Sequence, residues 1–276
     1  MSPVDSEEED LTRKQRREQA RAQRKALEEA EAAHAVRRKR ITQLAVVVAV
    51  VVVAVVVIVV ATSGGGSKKI EAGTPEATKT TAAVEGLVGG IPQNGNVIGN
   101  PAAPVTIQYF GDLECPICKE FTLGALPSIL QQWVRTGKVK IEYRSLETAT
   151  REPEVFKTQQ VAALAAGKQA KMWQFIETFY HEQGEEGSGY VTESYLQGLA
   201  RQVPGLNLTK WTEDRNDPAL VEQVTSDGQA ANAAGFTGTP SFLIGKTGGT
   251  MTTLNYGSSL TDPTGFDQAI EAQLKG

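Results

Sequence analysis

Cys115 and Cys118 are the only two cysteines in the chain, and Pro116 and Ile117 stand between them. Two thiols at this spacing are able to form one disulfide and to exchange it with other thiols. A framework of several disulfides, or a zinc site built from four cysteines, needs more cysteines than the chain has. The pair therefore points to thiol–disulfide chemistry.

The segments on either side of the pair predict that it lies where a helix begins. The apolar run at 105–110 favours a buried strand, and the pattern from Pro116 to about Arg135 favours a helix. Pro127 falls inside this helical pattern, so we expect a kink or break there. The N-terminus of a helix favours an anion. For Cys115 that anion would be a thiolate, which is the reactive form of cysteine.

A long apolar run covers residues 41–61, which are mostly valine and include no charged side chain. As a helix it would extend about 31 Å, enough to cross the hydrocarbon core of a bilayer. The alternatives are a buried segment of a soluble domain and a cleaved signal peptide. The signal peptide fits poorly because a highly charged segment, residues 1–40, precedes the run. We therefore predict a single transmembrane helix at 41–61 that acts as a signal-anchor.

Basic residues on the two sides of this run predict its orientation. Seven Lys and Arg residues lie in positions 21–40, and three lie in positions 62–81. By the positive-inside rule, the N-terminus is cytoplasmic and the C-terminal part is extracytoplasmic. The predicted location is thus the cell membrane, with the cysteine pair in an oxidising compartment where disulfides persist.

The composition divides the rest of the chain into three parts. Residues 1–40 mix acidic and basic side chains with alanine, which favours a solvated cytoplasmic helix, with a coiled coil as the alternative. Residues 62–95 are rich in Thr, Ser, Gly and Ala and predict a flexible extracytoplasmic linker. The folded domain is predicted at 96–276. Residues 41–276 carry a net charge of −6, which argues against nucleic acid as a partner.

Within the folded domain the pattern predicts strands, then helices, then strands. The predicted elements are a strand at 138–143, about four helices within 153–234 that are interrupted at 184–189 and 203–205, strands at 241–244 and 252–256, and a helix at 263–274.

This order, together with three motifs, resembles the DsbA-like family of extracytoplasmic thiol–disulfide oxidoreductases. The motifs are GNPAAPVTI at 99–107, FGDLECPICKEF at 110–121 and GTPSF at 238–242. The resemblance covers residues 96–274. It implies an α/β thioredoxin fold with a helical insertion at about 153–234, preceded here by the single transmembrane helix.

The resemblance also implies roles for individual residues. Cys115 would be the exposed nucleophile, and Cys118, more buried, would be the resolving thiol. Pro240 would be a cis-proline beside the cysteines, and the backbone of Thr239 would bind substrate in a strand-like way. Pro116 suits the first turn of the helix, since its missing N–H is harmless there.

The chain departs from the family pattern close to the cysteines. Strongly oxidising members have Pro-His between the cysteines, whereas this chain has Pro116 and Ile117, which predicts a weaker oxidant. Glu114 would weaken the thiolate further if its carboxylate lies close, although a solvated loop position is favoured. Asp112 and Glu120 are candidate proton acceptors for the buried thiol, and surface roles fit them equally well. His181 is expected on a helix surface.

The predicted function is that of a membrane-tethered enzyme that forms disulfides in exported proteins through the Cys115–Cys118 pair. A disulfide reductase or isomerase using the same pair is the alternative within the enzyme class. Outside that class, the pair would be a soft-metal site for copper or a structural disulfide. We expect no cofactor beyond the redox-active disulfide and no metal. The expected partners are exported proteins with thiols or disulfides, a membrane redox partner that recycles the pair, and the lipid bilayer.

Overall fold

The structure is a computed structural model that describes residues 70–276. The predicted cytoplasmic segment, the predicted transmembrane helix and residues 62–69 of the predicted linker lie outside the described residues. Among the helices of residues 70–276, none combines the length and the apolar character that crossing a membrane requires.

A six-stranded sheet forms the centre of the domain, with strand order β1-β2-β4-β3-β5-β6. The strands are β1 (Gln93–Asn94), β2 (Val97–Ile98), β3 (Val105–Gly111), β4 (Val139–Ser145), β5 (Ser241–Lys246) and β6 (Thr252–Thr253). The central pair, β3 and β4, is parallel, and β5 runs antiparallel to β3. The parallel crossover from β3 to β4 passes through the helix that follows the cysteines, so this helix lies against the sheet.

Alternation along β3 and β4 gives the sheet a large buried face. On β4, Val139, Ile141 and Tyr143 are buried while the residues between them are partly exposed, as the sequence predicts. Tyr109 of β3 lies opposite Tyr143 on one side and Phe242 on the other, so three aromatic rings form a row across the central strands. The opposite face carries a smaller apolar cluster around Phe110.

Nine α-helices are described in residues 70–276. They are α1 (Pro75–Val88), α2 (Pro116–Leu123), α3 (Ala125–Ile129), α4 (Pro153–Gly167), α5 (Met172–His181), α6 (Glu193–Gln202), α7 (Leu208–Asp214), α8 (Pro218–Ala233) and α9 (Thr264–Lys275). Helices α4 to α8 form the insertion between β4 and β5. The sequence predicts about four helices there. The structure has five because the chain also breaks at 168–171, where Ala170 has a φ of 56°, and at 215–217, between α7 and α8.

The helix that follows the cysteine pair is interrupted, as predicted from its sequence. The break comes at Gly124, three residues before Pro127, and a π-helical turn, Leu130–Val134, follows α3. A Cβ atom at Gly124 would lie 2.6 Å from the Glu120 carbonyl oxygen and 2.7 Å from the Thr261 Cα. Only glycine allows this close approach, so the break has a steric cause.

The prediction of a flexible linker over 62–95 is wrong for its later part. Residues 75–88 form helix α1, which Thr74 caps by accepting a hydrogen bond from the N–H of Ala77 at 3.1 Å. Val84 and Val88 of this helix are buried in the main core. Burial of each valine contributes about 1.5–3 kcal/mol, which offsets the cost of ordering a segment of small, polar composition.

Candidate functional site

The cysteine pair lies at the junction of a strand and a helix, as predicted. Strand β3 ends at Gly111, and Cys115 is the N-cap residue of α2 with Pro116 at its first position. The backbone N–H of Cys118 donates a hydrogen bond to the Cys115 Sγ at 3.3 Å. Both cysteines are free thiols in this structure. Helix α2 therefore directs a backbone donor at the Cys115 sulfur.

Burial of the two sulfurs differs in part from the prediction. Cys118 is fully buried, as expected for a resolving thiol. Cys115 was expected to be exposed, but only 5% of its surface is accessible. The side chains that face solvent beside it are Pro116 and Ile117, and Ile117 is 42% exposed. Cys115 is therefore almost fully covered by the rest of the domain.

The two thiols have opposite acid–base properties. The pKa of Cys115 is lowered to about 6, first by a hydrogen bond with the Cys118 side chain and also by Thr239 and by backbone N–H groups, while burial opposes the change. Burial, followed by the interaction with Cys115, raises the pKa of Cys118 well above its ordinary value. At neutral pH, Cys115 is mostly thiolate and Cys118 is a thiol.

The Thr239–Pro240 segment lies directly against the pair. Its peptide bond is cis, which confirms the prediction. The Cys115 Sγ lies 3.4 Å from the Thr239 carbonyl oxygen, and the Thr239 hydroxyl lies 2.5 Å from the Thr148 hydroxyl. Pro240 is buried, whereas Thr239 is partly exposed. The structure thus brings residues about 120 positions apart in the chain into one site.

Asp112 is fully buried, and both oxygens of its carboxylate accept hydrogen bonds from neighbouring groups. The backbone N–H groups of Thr148, Ala149 and Thr150 donate to its Oδ2 at 3.0, 2.9 and 2.9 Å. The N–H of Glu114 and the hydroxyl of Thr150 donate to its Oδ1 at 3.0 and 2.6 Å. Four of these five bonds tie the turn before the cysteines to the 148–150 loop, and the bond from Glu114 closes the turn itself. Glu120, the other predicted proton acceptor, is exposed.

Glu114 is a buried residue, so the favoured prediction of a solvated loop carboxylate is wrong. Only 4% of its surface is accessible. Burial raises the pKa of Glu114 to about 7, and the charges of Asp112 and Glu152 add to this effect. The buried 112–115 turn forces the side chain inward. Glu114 therefore changes its charge near neutral pH within one residue of Cys115.

Gln183 is a site residue that the sequence did not reveal. Its side-chain N–H group donates to the carbonyl oxygens of Leu113 at 2.8 Å and Cys115 at 3.1 Å. Gln183 follows α5, so the helical insertion holds the backbone of the cysteine turn directly. His181, two residues earlier, is half-buried, and burial lowers its pKa.

The chain is similar in sequence to known proteins. The family model described as Thioredoxin matches residues 92–253. Disulfide bond formation protein D of Bacillus subtilis is 25% identical over 185 residues, which cover 65% of this chain and 77% of the relative. The probable disulfide bond formation protein D of Bacillus anthracis is 25% identical over 154 residues, covering 53% and 68%.

Solved structures show the same fold. Oxidised BdbD from Bacillus subtilis superposes with a TM-score of 0.56 at 23% identity, over 69% of this chain and 99% of that one. By its thioredoxin-like sequence, its helical insertion and its paired cysteines, the chain belongs to the thioredoxin family and is a DsbA-like thiol–disulfide oxidoreductase.

Proposed function

We propose that this protein forms disulfides in exported proteins, with Cys115 as the residue that reacts with substrate and Cys118 as the resolving thiol. The observation that carries the proposal is the difference between the two sulfurs. The pKa of Cys115 is about 6, whereas that of Cys118 lies well above its ordinary value. A low thiol pKa makes Cys115 a good leaving group in the step that releases an oxidised substrate.

The oxidative cycle consists of two exchange steps. A substrate thiolate attacks the Cys115 sulfur of the Cys115–Cys118 disulfide, so a bond forms between substrate and Cys115. Cys118 leaves with the electron pair of the broken bond and takes up a proton. A second substrate thiolate then attacks the substrate sulfur of this mixed disulfide, and Cys115 leaves as a thiolate. The substrate loses two electrons, which the protein passes to a membrane redox partner when its disulfide is restored.

Thr239 and Pro240 are proposed to bind the substrate beside Cys115. The partly exposed Thr239 backbone adjoins the sulfur, and its extended continuation into β5 suits strand-like pairing with a peptide. Ile117, exposed next to Cys115, offers an apolar contact for the same peptide. Substrate cysteines in extended, unfolded segments fit this arrangement.

Residues 41–61 are proposed to anchor the domain on the outer side of the cell membrane. The length and lack of charge of this run support a membrane span, and the basic residues before it support a cytoplasmic N-terminus. A membrane-impermeant thiol reagent applied to intact cells tests the orientation, since the reduced Cys115 should be labelled without lysis. Labelling only after lysis would contradict it.

A trapping experiment tests the catalytic assignment. Thiol–disulfide exchange is reversible, so the Cys115 thiolate also attacks substrate disulfides, and Cys118 then displaces the substrate sulfur from Cys115. Cys118→Ser protein, expressed in its own host, lacks this displacement and should accumulate mixed disulfides with exported proteins on non-reducing gels. Cys115→Ser protein is the matched control and should accumulate none. Absence of adducts with Cys118→Ser would overturn the proposal.

The redox potential of the pair tests the direction of electron flow. The pKa of Cys115, about 6, lies between the values of about 7 and about 3.5 known for thioredoxin and DsbA. We therefore expect a potential between about −270 and −120 mV, measured by equilibration with glutathione. A value at or below the lower bound would favour a reductase.

A further inference from the structure

Thr148 connects the cis-proline segment to the turn that carries the cysteines. Its hydroxyl lies 2.5 Å from the hydroxyl of Thr239, and its backbone N–H donates to the Asp112 carboxylate at 3.0 Å. The backbone N–H of Cys115 donates to the carbonyl oxygen of the same Asp112 at 3.1 Å. Thr148 is therefore hydrogen-bonded to both of the segments that meet at the Cys115 sulfur.

The backbone of Thr148 is held from the interior, although its side chain is at the surface. The buried Asp112 carboxylate also accepts hydrogen bonds from the N–H groups of Ala149 and Thr150, each at 2.9 Å. Thr148 itself is exposed, and Thr239 is partly exposed. The Thr148 hydroxyl therefore has a fixed attachment to the cysteine turn while it contacts a residue at the surface of the site.

Thr239 is the residue that this hydroxyl holds. The Thr239 carbonyl oxygen lies 3.4 Å from the Cys115 Sγ, and the buried Pro240 follows it directly. A threonine side chain has several χ1 rotamers, and the hydrogen bond from Thr148 selects one of them. After the hydrogen bond with the Cys118 side chain, which is the largest cause, the Thr239 side chain also lowers the pKa of Cys115. The orientation of Thr239 therefore matters to the reactive sulfur.

We propose that Thr148 is a positioning residue of the redox centre, whose hydroxyl fixes the Thr239 side chain and thereby holds the substrate-binding segment in place beside the Cys115 sulfur. Thr148 takes no part in the transfer of electrons and does not contact either sulfur in this assignment. It acts through Thr239, and Asp112 anchors it. The inference rests on the proposed function, because it concerns the same contact between Thr239 and the substrate.

Loss of the Thr148 hydroxyl should affect substrate binding more than folding. Thr148 and Thr239 are both accessible to solvent, so a water molecule can bond to the Thr239 hydroxyl in its place and the free energy of unfolding should hardly change. A water molecule is not attached to the 148–150 loop, so Thr239 regains its rotamer freedom. A peptide that pairs with Thr239 must then order this side chain when it binds, which weakens binding.

Oxidation of a synthetic peptide that contains two cysteines tests this inference. Thr148→Val keeps the side-chain shape and the N–H bond to Asp112, and it should raise KM about fivefold while kcat changes by less than about twofold. Dithiothreitol has no peptide backbone, so its reaction with the oxidised variant should keep the wild-type rate. Thr148→Ser should restore KM. The matched control is Thr106→Val, which removes a hydroxyl pair with Thr247 (2.8 Å) at the other end of β3 and should leave KM unchanged.

The coupling between the two threonines provides a second readout. In a Thr239→Val background, Thr148→Val should raise KM no further, because it acts through Thr239. The pKa of Cys115, about 6 in the wild type, should rise in Thr148→Val and return in Thr148→Ser, whichever way electrons flow. Wild-type KM and pKa in Thr148→Val, or additive effects in the double variant, would overturn the inference. Wild-type protein that does not oxidise the peptide would instead overturn the proposed function, and the pKa comparison would then decide the inference alone.

Discussion

The backbone N–H of Cys118 donates a hydrogen bond to the Cys115 sulfur at 3.3 Å, so one cysteine of the pair stabilises the thiolate of the other. Its side chain provides the largest contribution that lowers the pKa of Cys115 to about 6. The absorbance of the thiolate at about 240 nm should therefore titrate with a midpoint near pH 6. Cys118→Ala should move the midpoint up, because the side-chain bond is lost while the backbone bond is kept. A midpoint near the ordinary value of 9.0 in the wild type would contradict the site geometry.

Ile117 is expected to influence how strongly oxidising the pair is. Its side chain is exposed, so Ile117→His costs little packing and places an imidazole beside Cys115. A donor or positive charge there should lower the pKa of Cys115 and raise the redox potential, by about 30 mV for each 1.4 kcal/mol of thiolate stabilisation. Leu123→His is the control, since Leu123 is equally exposed but lies at the other end of α2. Equal redox potentials for Ile117→His and Leu123→His would show that the effect does not depend on placing the imidazole beside Cys115.

Asp112 supports the site because its carboxylate holds the 148–150 loop through hydrogen bonds. Asp112→Asn replaces one of two accepting oxygens with an NH₂ group, which repels the N–H donors it would face. We expect the free energy of unfolding of the reduced protein to fall by about 2–4 kcal/mol, measured by urea denaturation. Glu120→Gln, at an exposed acidic position nearby, should change it by less than about 0.5 kcal/mol. A mild effect of Asp112→Asn would show that other contacts hold the loop.

Glu177 should make stability depend on pH. Both of its oxygens are buried without partners, and burial raises its pKa from 4.5 to about 8. Between these values the folded state keeps a proton that the unfolded chain has lost. The free energy of unfolding therefore falls as pH rises through this window, by at most about 1.4 kcal/mol per pH unit from this group. Glu177→Gln should show a shallower fall over the same range, and parallel curves would refute this assignment.

Helix α1 should contribute to stability, which a flexible linker would not do. Val88 is fully buried against the core, so Val88→Ala should lower the free energy of unfolding by about 1–2 kcal/mol. Thr78→Ala, on the exposed side of the same helix, is the control and should have little effect. Equal stability of the two variants would restore the linker interpretation.

A feature could be predicted from the sequence when it depends on residues that lie close together in the chain. The strand before the cysteines and the helix after them follow from short local patterns, and the cis bond at Pro240 was implied by the family resemblance; all three were predicted. Helix α1 was missed because its small and polar residues conceal the apolar spacing of Val84 and Val88. Contacts between segments that are distant in the chain could not be predicted, because no short stretch of sequence indicates them.

The residues that support the cysteine turn illustrate why contacts between distant segments could not be predicted. Asp112 was noticed only as a possible base, because its five donors come mainly from a loop some 36 residues further along. Gln183 lies about 70 residues from the carbonyl groups it binds. Their roles depend on tertiary structure, so composition and spacing did not indicate them.

The hydrogen bonds from Gln183 limit how far this domain can be simplified. A protein engineer who replaced the helical insertion with a short loop would remove the amide that holds the Leu113 and Cys115 carbonyl groups, and with it Tyr180. The remaining sheet and helices would resemble a minimal thioredoxin in outline, but the reactive turn would have lost its support. The insertion is thus an integral part of the redox centre, and the smallest functional version of this domain must include it.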